Sequence, residues 1–214
     1  RQRKRETQQL AIEHQQYSDR LTNLNNALQR IDERLSNSDR PECNVEKCRV
    51  AMADLNQLSK ELAKLEAAKT TLQKAGQSQL SDPKINTELK KIDATWDHLQ
   101  NTLKSKLDRL RQAEAASERF AAKNSQFQNE LDQLEGELRD IKPTHDEKRA
   151  MDQFEKKITA MAGLNKKVSD AARDLGSLGQ NAEALRMARE GQTQLDRIAR
   201  NMQQKQNEIE AAAK

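Results

Sequence analysis

Pro83 to Pro143 reads PKINTELKKIDATWDHLQNTLKSKLDRLRQAEAASERFAAKNSQFQNELDQLEGELRDIKP, with no internal proline and one glycine, Gly136. Apolar residues recur through it at steps of three and four: Leu89, Ile92, Trp96, Leu99, Leu103, Leu107 and Leu110. A small and polar patch follows. The pattern then resumes at Phe120, Phe127, Leu131, Leu134, Leu138 and Ile141. Such spacing holds side chains on one stripe of an α-helix. At about 1.5 Å per residue, an unbroken helix here would be about 90 Å long, wider than the core of a small globular domain. The stretch therefore reads as the last helix of one bundle running straight into the first helix of the next.

Composition restricts the alternatives. Aromatic residues are 2% of the chain, while apolar and charged residues are 34% each, a poor supply for a thick core. Ala, Leu, Glu, Lys, Arg and Gln dominate, and all favour helix. No run alternates apolar and polar with period two, so sheet is excluded. Disorder shares the high charge and low hydrophobicity, but a solvated coil has no reason to keep heptad phase. The net charge of +4 comes from nearly balanced signs, too mild to point to nucleic acid. No run of about 18 apolar residues exists to span a membrane. The basic cluster Arg1 to Arg5 is not followed by the apolar core of a signal peptide. The chain does not begin with Met and reads as a segment of a longer protein.

Flanking the long stretch, breaks and stripes partition the rest. A first helix is expected over residues 7–38, with Leu10, Tyr17, Leu21, Leu24, Leu28, Ile31 and Leu35 on its stripe. Ser36-Asn37-Ser38-Asp39-Arg40-Pro41 ends it. A second helix runs from near Asn44 to about Ala75 on Ala51, Leu55, Leu58, Leu62, Leu65 and Leu72. Lys69 falls on that stripe, with its stem able to snorkel at the core edge. Gly76 closes or kinks the helix, and Ser81-Asp82-Pro83 ends it, with Asp82 as N-cap and Pro83 at the first helical position. Beyond Pro143, Thr144 and Glu147 have the spacing of a capping box. The helix after them carries Met151, Phe154, Ile158, Met161, Val168 and Leu175. Residues Gly176 to Asn181 form a loop, and the last helix carries Leu185, Leu195, Ile198, Met202 and Ile209. All three prolines lie at breaks, where they avoid the cost of about 3 kcal/mol inside a helix.

The two halves overlay. Tyr17, Leu21, Leu24, Leu28 and Ile31 match Phe127, Leu131, Leu134, Leu138 and Ile141 at a constant shift of 110 residues. Leu55, Leu58, Leu65, Leu72 and Gly76 match Ile158, Met161, Val168, Leu175 and Gly179 at 103. Trp96, Leu99, Leu103 and Leu110 match Leu195, Ile198, Met202 and Ile209 at 99. The shift changes only at loops. The expected fold is all-α: two tandem three-helix left-handed bundles, residues 1–113 and 114–214, joined by a continuous helix. Three helices on short loops run up, down and up, packed near +20°. The third leaves at the end away from the first, so a second bundle follows in line.

These residues resemble the spectrin repeat. The marks are the period, the stretch Leu72-Gln73-Lys74-Ala75-Gly76-Gln77-Ser78-Gln79-Leu80, and Asp93-Ala94-Thr95-Trp96-Asp97-His98-Leu99, which is similar to the family's third-helix tryptophan followed by leucine. The resemblance covers nearly the whole chain as two tandem repeats. Ala27 and Glu137 stand where the family often has a first-helix tryptophan, and Leu195 where the second repeat's third-helix tryptophan belongs. That pattern is most like the divergent rods of plakin-, nesprin- or dystrophin-type cytoskeletal linkers. The resemblance implies a cytoplasmic, cytoskeletal location and cytoskeletal or junctional partners, with neighbouring spectrin-like repeats and actin among them.

Little in the chain points to chemistry. Cys43 and Cys48 are too few for a disulfide scaffold or a zinc site. They read as free thiols, with a redox latch as the alternative. His14, His98 and His145 are scattered, and no two have ligand spacing. No Gly-rich loop follows a strand. Acidic residues interleave with Lys and Arg as a solvated face of weak pairs. No catalytic, cofactor-binding or metal-binding residue is assigned, no cofactor is expected, and the protein is read as a non-enzyme. Lys104, Lys106, Arg109, Arg111, Lys156-Lys157 and Lys166-Lys167 form basic pairs that either are solvated charges or dock on actin filaments or anionic lipid. Trp96 is expected as a core anchor. Gly136, Gly163 and Gly191, each costing about 1 kcal/mol in a helix, mark the second half as the softer one. The function expected is a structural rod segment acting as elastic spacer and protein-docking surface. The alternative is a lateral dimerisation module, or a basic surface docking on actin or membrane; a monomer is expected.

Overall fold

In the computed structural model, which describes residues 1–38, 40–77 and 82–214, Pro83–Asp140 is one α-helix of 58 residues. Among the described residues it is the fourth of six α-helices. The others are α1 (Gln2–Ser36), α2 (Val45–Lys64), α3 (Glu66–Gln77), α5 (Lys148–Asp174) and α6 (Ala182–Ala212), with Pro83–Asp140 as α4. Short 3₁₀ turns occupy His145–Glu147 and Leu175–Ser177. Among the described residues there is no strand, and the fold is all-α.

Local chemistry accounts for two of the helix starts. Asp82 accepts the Lys84 N–H at 2.9 Å through Oδ1, capping α4 with Pro83 as its first residue. Asn44 Oδ1 accepts the N–H groups of Glu46 and Lys47 at 2.9 and 3.3 Å, capping α2. Two expectations are corrected. The single second helix is interrupted at Leu65, whose N–H turns to Leu62 O at 3.0 Å, an i→i−3 bond that tightens one turn. Gly76 is the penultimate residue of α3, buried where a β-carbon would meet Leu89 Cδ1 at 2.7 Å, so it also serves close packing. The Thr144–Glu147 capping box does not form: a 3₁₀ turn takes its place, and α5 begins without a side-chain cap. The sequence marks at Asp39 and at Ser78, Gln79, Leu80 and Ser81 lie outside the described residues.

The chain divides into two compact units. The first comprises Arg1–Asp39 and Val50–Arg109, the second Arg40–Arg49 and Leu110–Lys214. The sequence reading draws its line after residue 113 and keeps residues 40–49 with the first triplet.

In the first unit α1 and α4 run parallel: the Tyr17 hydroxyl donates to Glu88 at 3.3 Å, His98 lies 4.0 Å from Asp32, and Lys106 Nζ donates to Leu35 O at 2.6 Å. The α2–α3 segment runs antiparallel to both, through Arg34–Glu61 at 2.7 Å and Lys69–Asp93 at 3.3 Å. Leu24, Leu28, Ile31, Leu35, Leu55, Leu58, Leu62, Leu72, Ile92, Trp96 and Leu99 are buried along the facing stripes. Trp96 anchors this core at 4% exposure. Lys69 lies over its ring, Nζ 5.0 Å from the centroid, stem inward and charge outward.

In the second unit α4 and α6 run parallel, joined by Gln194–Asp132 at 3.1 Å, by Arg197 with Glu135, and by Lys205 Nζ donating to Leu138 O at 2.5 Å. Lys157 of α5 pairs with Glu137 at 2.6 Å. The core holds Phe127, Leu131, Leu134, Leu138, Phe154, Val168, Leu175, Leu195 and Ile198. Each unit thus repeats one device: a lysine of its last helix, Lys106 or Lys205, donates to the final carbonyls of its first, where an unpaired acceptor and the negative helix end both favour a cation.

The small and polar patch of α4 keeps phase. Leu110, Ala113, Ser117, Phe120, Asn124, Phe127, Leu131, Leu134 and Leu138 are all buried, at steps of three and four. The stripe is continuous in a way an apolar-only reading misses.

Candidate functional site

Residues 40–44 and the start of α2, residues 45–49, form a heavily bonded strap, and they belong to the second unit. Pro41 has no N–H to offer, but its carbonyl accepts from Gln180 N–H at 3.1 Å. Cys43 N–H returns a bond to Gln180 O at 2.6 Å. Together they form an isolated parallel bridge centred on Glu42 and Gln180. Gly179 makes the approach possible, since a β-carbon there would meet Pro41 O at 2.7 Å and Cys43 Sγ at 3.0 Å.

Beside this bridge, the Glu42 carboxylate accepts the Glu183 N–H at 2.5 Å. It thereby puts a negative charge on the first turn of α6, where unsatisfied N–H groups and the helix dipole welcome it. Asn44 Nδ2 donates to Glu183 Oε1 at 3.4 Å, and Lys47 lies 3.9 Å from the same carboxylate. On the other side of the strap Arg49 reaches α4, with Nε 2.6 Å from Glu114 and Nη2 3.2 Å from Glu118. Asn181 closes the neighbouring turn by donating to Ala172 O and Arg173 O at 3.0 and 3.3 Å.

The two thiols sit beneath the strap. Both are free and buried, and both join the second unit's core. Cys43 Sγ donates to Leu175 O at 3.4 Å. Burial, with Cys48 and Glu42 nearby, pushes the Cys43 thiol up to about 11. Burial also raises Cys48, which has the Ser117 hydroxyl as a hydrogen-bond partner. Neutral buried thiols are poor nucleophiles, so they pack as small apolar groups here.

The remaining candidates are dispersed. His14 is exposed on α1, His98 is a rim residue beside Asp32, and the His145 side chain lies outside the described residues. Among the described residues no group of three His, Cys, Asp or Glu side chains is arranged to hold a metal. No described helix is long and apolar enough to cross a membrane. Of the basic residues, Lys106 is committed to Leu35 O and to Ser38, and Lys157 to Glu137. Sequence reasoning did not find the strap. Its signal is faint: a Pro-Glu-Cys-Asn turn opposite a Gly-Ser-Leu-Gly loop in the other half.

These features define an all-α protein whose most elaborate polar cluster among the described residues fastens chain to chain. No protein-family model matches the chain, and no curated protein matches it.

Proposed function

We propose that the chain is a structural, non-enzymatic rod segment: two tandem three-helix left-handed bundles of the spectrin-repeat kind, joined by a continuous helix. It acts as an elastic spacer and docking surface in a cytoskeletal linker of the plakin, nesprin or dystrophin type. Its partners are cytoskeletal or junctional proteins and neighbouring repeats, actin among them. The observation that carries this reading is α4, whose buried stripe holds one phase from Ile85 to Leu138. A helix of 58 residues is about 87 Å long. Each i→i−4 bond along it resists extension, and the flanking helices give it side support.

The test is a helix break. Ala115→Pro removes one backbone bond in the middle of α4 and clashes with the preceding turn. Small-angle scattering of this variant should give a shorter or bent particle, with helix content almost unchanged by circular dichroism. An unaltered scattering profile would count against a load path along α4.

A further inference from the structure

Cys43 and Cys48, the chain's only two cysteines, occupy positions that meet at a helix start. Asn44 caps α2: its Oδ1 accepts from Glu46 and Lys47, and its main-chain O accepts the Cys48 N–H at 2.9 Å, the first bond of the helix. Cys43 is then the residue before the cap, and Cys48 the fourth residue of the helix. Side chains at those two places pack together across a helix entry as a hydrophobic staple. Here both are thiols, 6% and 0% exposed, in one core cluster, and Cys48 is close enough to act on the Cys43 thiol. The same places at the start of α5, 103 residues on, hold Asp146 and Met151.

A bond between the two sulfurs leaves neither thiol's present partner unpaired. It removes the S–H that Cys43 donates to Leu175 O, but that carbonyl also accepts the Leu178 and Gly179 N–H groups at 3.0 and 3.1 Å. It removes the Cys48 contact with Ser117, whose hydroxyl still donates to Ala113 O at 2.6 Å. The bond would also join two separate grips. Residues 41–43 hold Gln180 and Glu183 at the entry to α6, while Arg49 holds Glu114 and Glu118 of α4.

We propose that the strap is a redox-sensitive fastening: hydrogen peroxide closes a Cys43–Cys48 disulfide, and the bridge makes the two grips open only together. The reaction starts when the strap lifts, because the settled strap shields both thiols. Peroxide takes the Cys43 thiolate to a sulfenic acid; the O–O bond breaks and one oxygen leaves as water. The strap settles again over this small group. The Cys48 sulfur then attacks the Cys43 sulfur, the S–O bond breaks, and the oxygen leaves with the Cys48 proton as a second water. Two thiols lose two electrons in all, and one peroxide is reduced to two waters. This inference rests on the strap's geometry and not on the rod reading, so its failure leaves that reading untouched.

The test uses the full chain, reduced, freed of reductant and treated with hydrogen peroxide. The chain should stay a monomer. Trypsin, which cuts after Lys47, should then release residues 35–47 joined to residues 48–49. Hydrogen exchange at the Cys43 and Gln180 amides, which bond to Gln180 O and Pro41 O, should slow at least about tenfold in the bridged chain. A phosphine reductant should restore the former rate. Glu42→Ala, which frees the strap from α6, should speed bridge formation by a similar factor. In Cys48→Ala, peroxide should leave the exchange of both amides unslowed, a contrast that packing alone does not produce. Oxygen added to the thiols without a bridge, or a disulfide between two chains, would overturn the proposal. So would exchange at Gln180 that is unchanged or faster after bridging, or a bridge that forms no faster in Glu42→Ala.

Discussion

Gly191 of α6 lies against the ring of Phe127 on α4: a β-carbon at 191 would meet Phe127 Cε1 at 2.6 Å. The glycine is where a fully buried phenylalanine finds room, so its helix-propensity cost is offset by packing. Gly136 and Gly163 differ, because a β-carbon at either would meet nothing within 4 Å. Gly136→Ala and Gly163→Ala are each expected to stabilise by about 0.5–1 kcal/mol. Gly191→Ala is expected to destabilise by about 1–3 kcal/mol, as overpacking does. Urea unfolding of the three variants checks the signs. Equal stabilisation by all three would mean Gly191 is merely a weak helix position.

Asn124 occupies a stripe position between Phe120 and Phe127, and its Oδ1 is buried without a hydrogen-bond partner among the described residues. A buried unsatisfied acceptor costs about 1–3 kcal/mol. Asn124→Leu should raise the unfolding midpoint by a comparable amount, with the slope unchanged. A drop in stability would show that the amide, rather than a void-filling apolar group, is what this site requires.

The strap should be separable from the core it covers. Glu42→Ala removes the carboxylate from the first turn of α6 and should cost about 1–2 kcal/mol. The same change, or Gly179→Ala against Pro41 O, should speed alkylation of Cys43 and Cys48, whose burial predicts slow labelling at pH 8 in the intact protein. Mass spectrometry over time reads this out. Rapid labelling of both thiols in the unaltered chain would contradict their burial.

Tyr17 carries a signature at high pH. Burial, with Glu88 nearby, pushes its hydroxyl up to about 12 from an ordinary 10. The folded state therefore favours the neutral phenol. The stability it contributes is fully present below pH 10, and is lost as pH rises from 10 through about 12. Tyr17→Phe should flatten that loss. An unchanged alkaline unfolding profile would place the decline on other groups.

Large apolar residues were legible in the sequence. Trp96, Leu99, Phe127, Leu131 and Ile198 are all buried where their spacing puts them. The phase between them was not, because small and amide residues keep it. Ala113, Ser117 and Asn124 on α4, Asn165 and Ala172 on α5, and Ala184, Ala188 and Gly191 on α6 fill the steps that look like gaps. Leu185 has the spacing of a stripe residue, yet it sits at the edge and Ala184 is buried beside it. The strap was illegible for another reason. Backbone bonds such as Cys43 N–H to Gln180 O depend on which main chain arrives, and side-chain periodicity carries no record of that. The Thr144–Glu147 spacing misled in the opposite sense, because a 3₁₀ turn satisfies the same N–H groups through the backbone.

Small-angle scattering with molar mass tests the tandem-rod reading most directly. A monomer of 24.4 kDa with a maximum dimension on the order of 100 Å and a radius of gyration of about 29 Å is predicted. A monomer with a radius of gyration of about 17 Å, the value for a compact globule of this length, would contradict it.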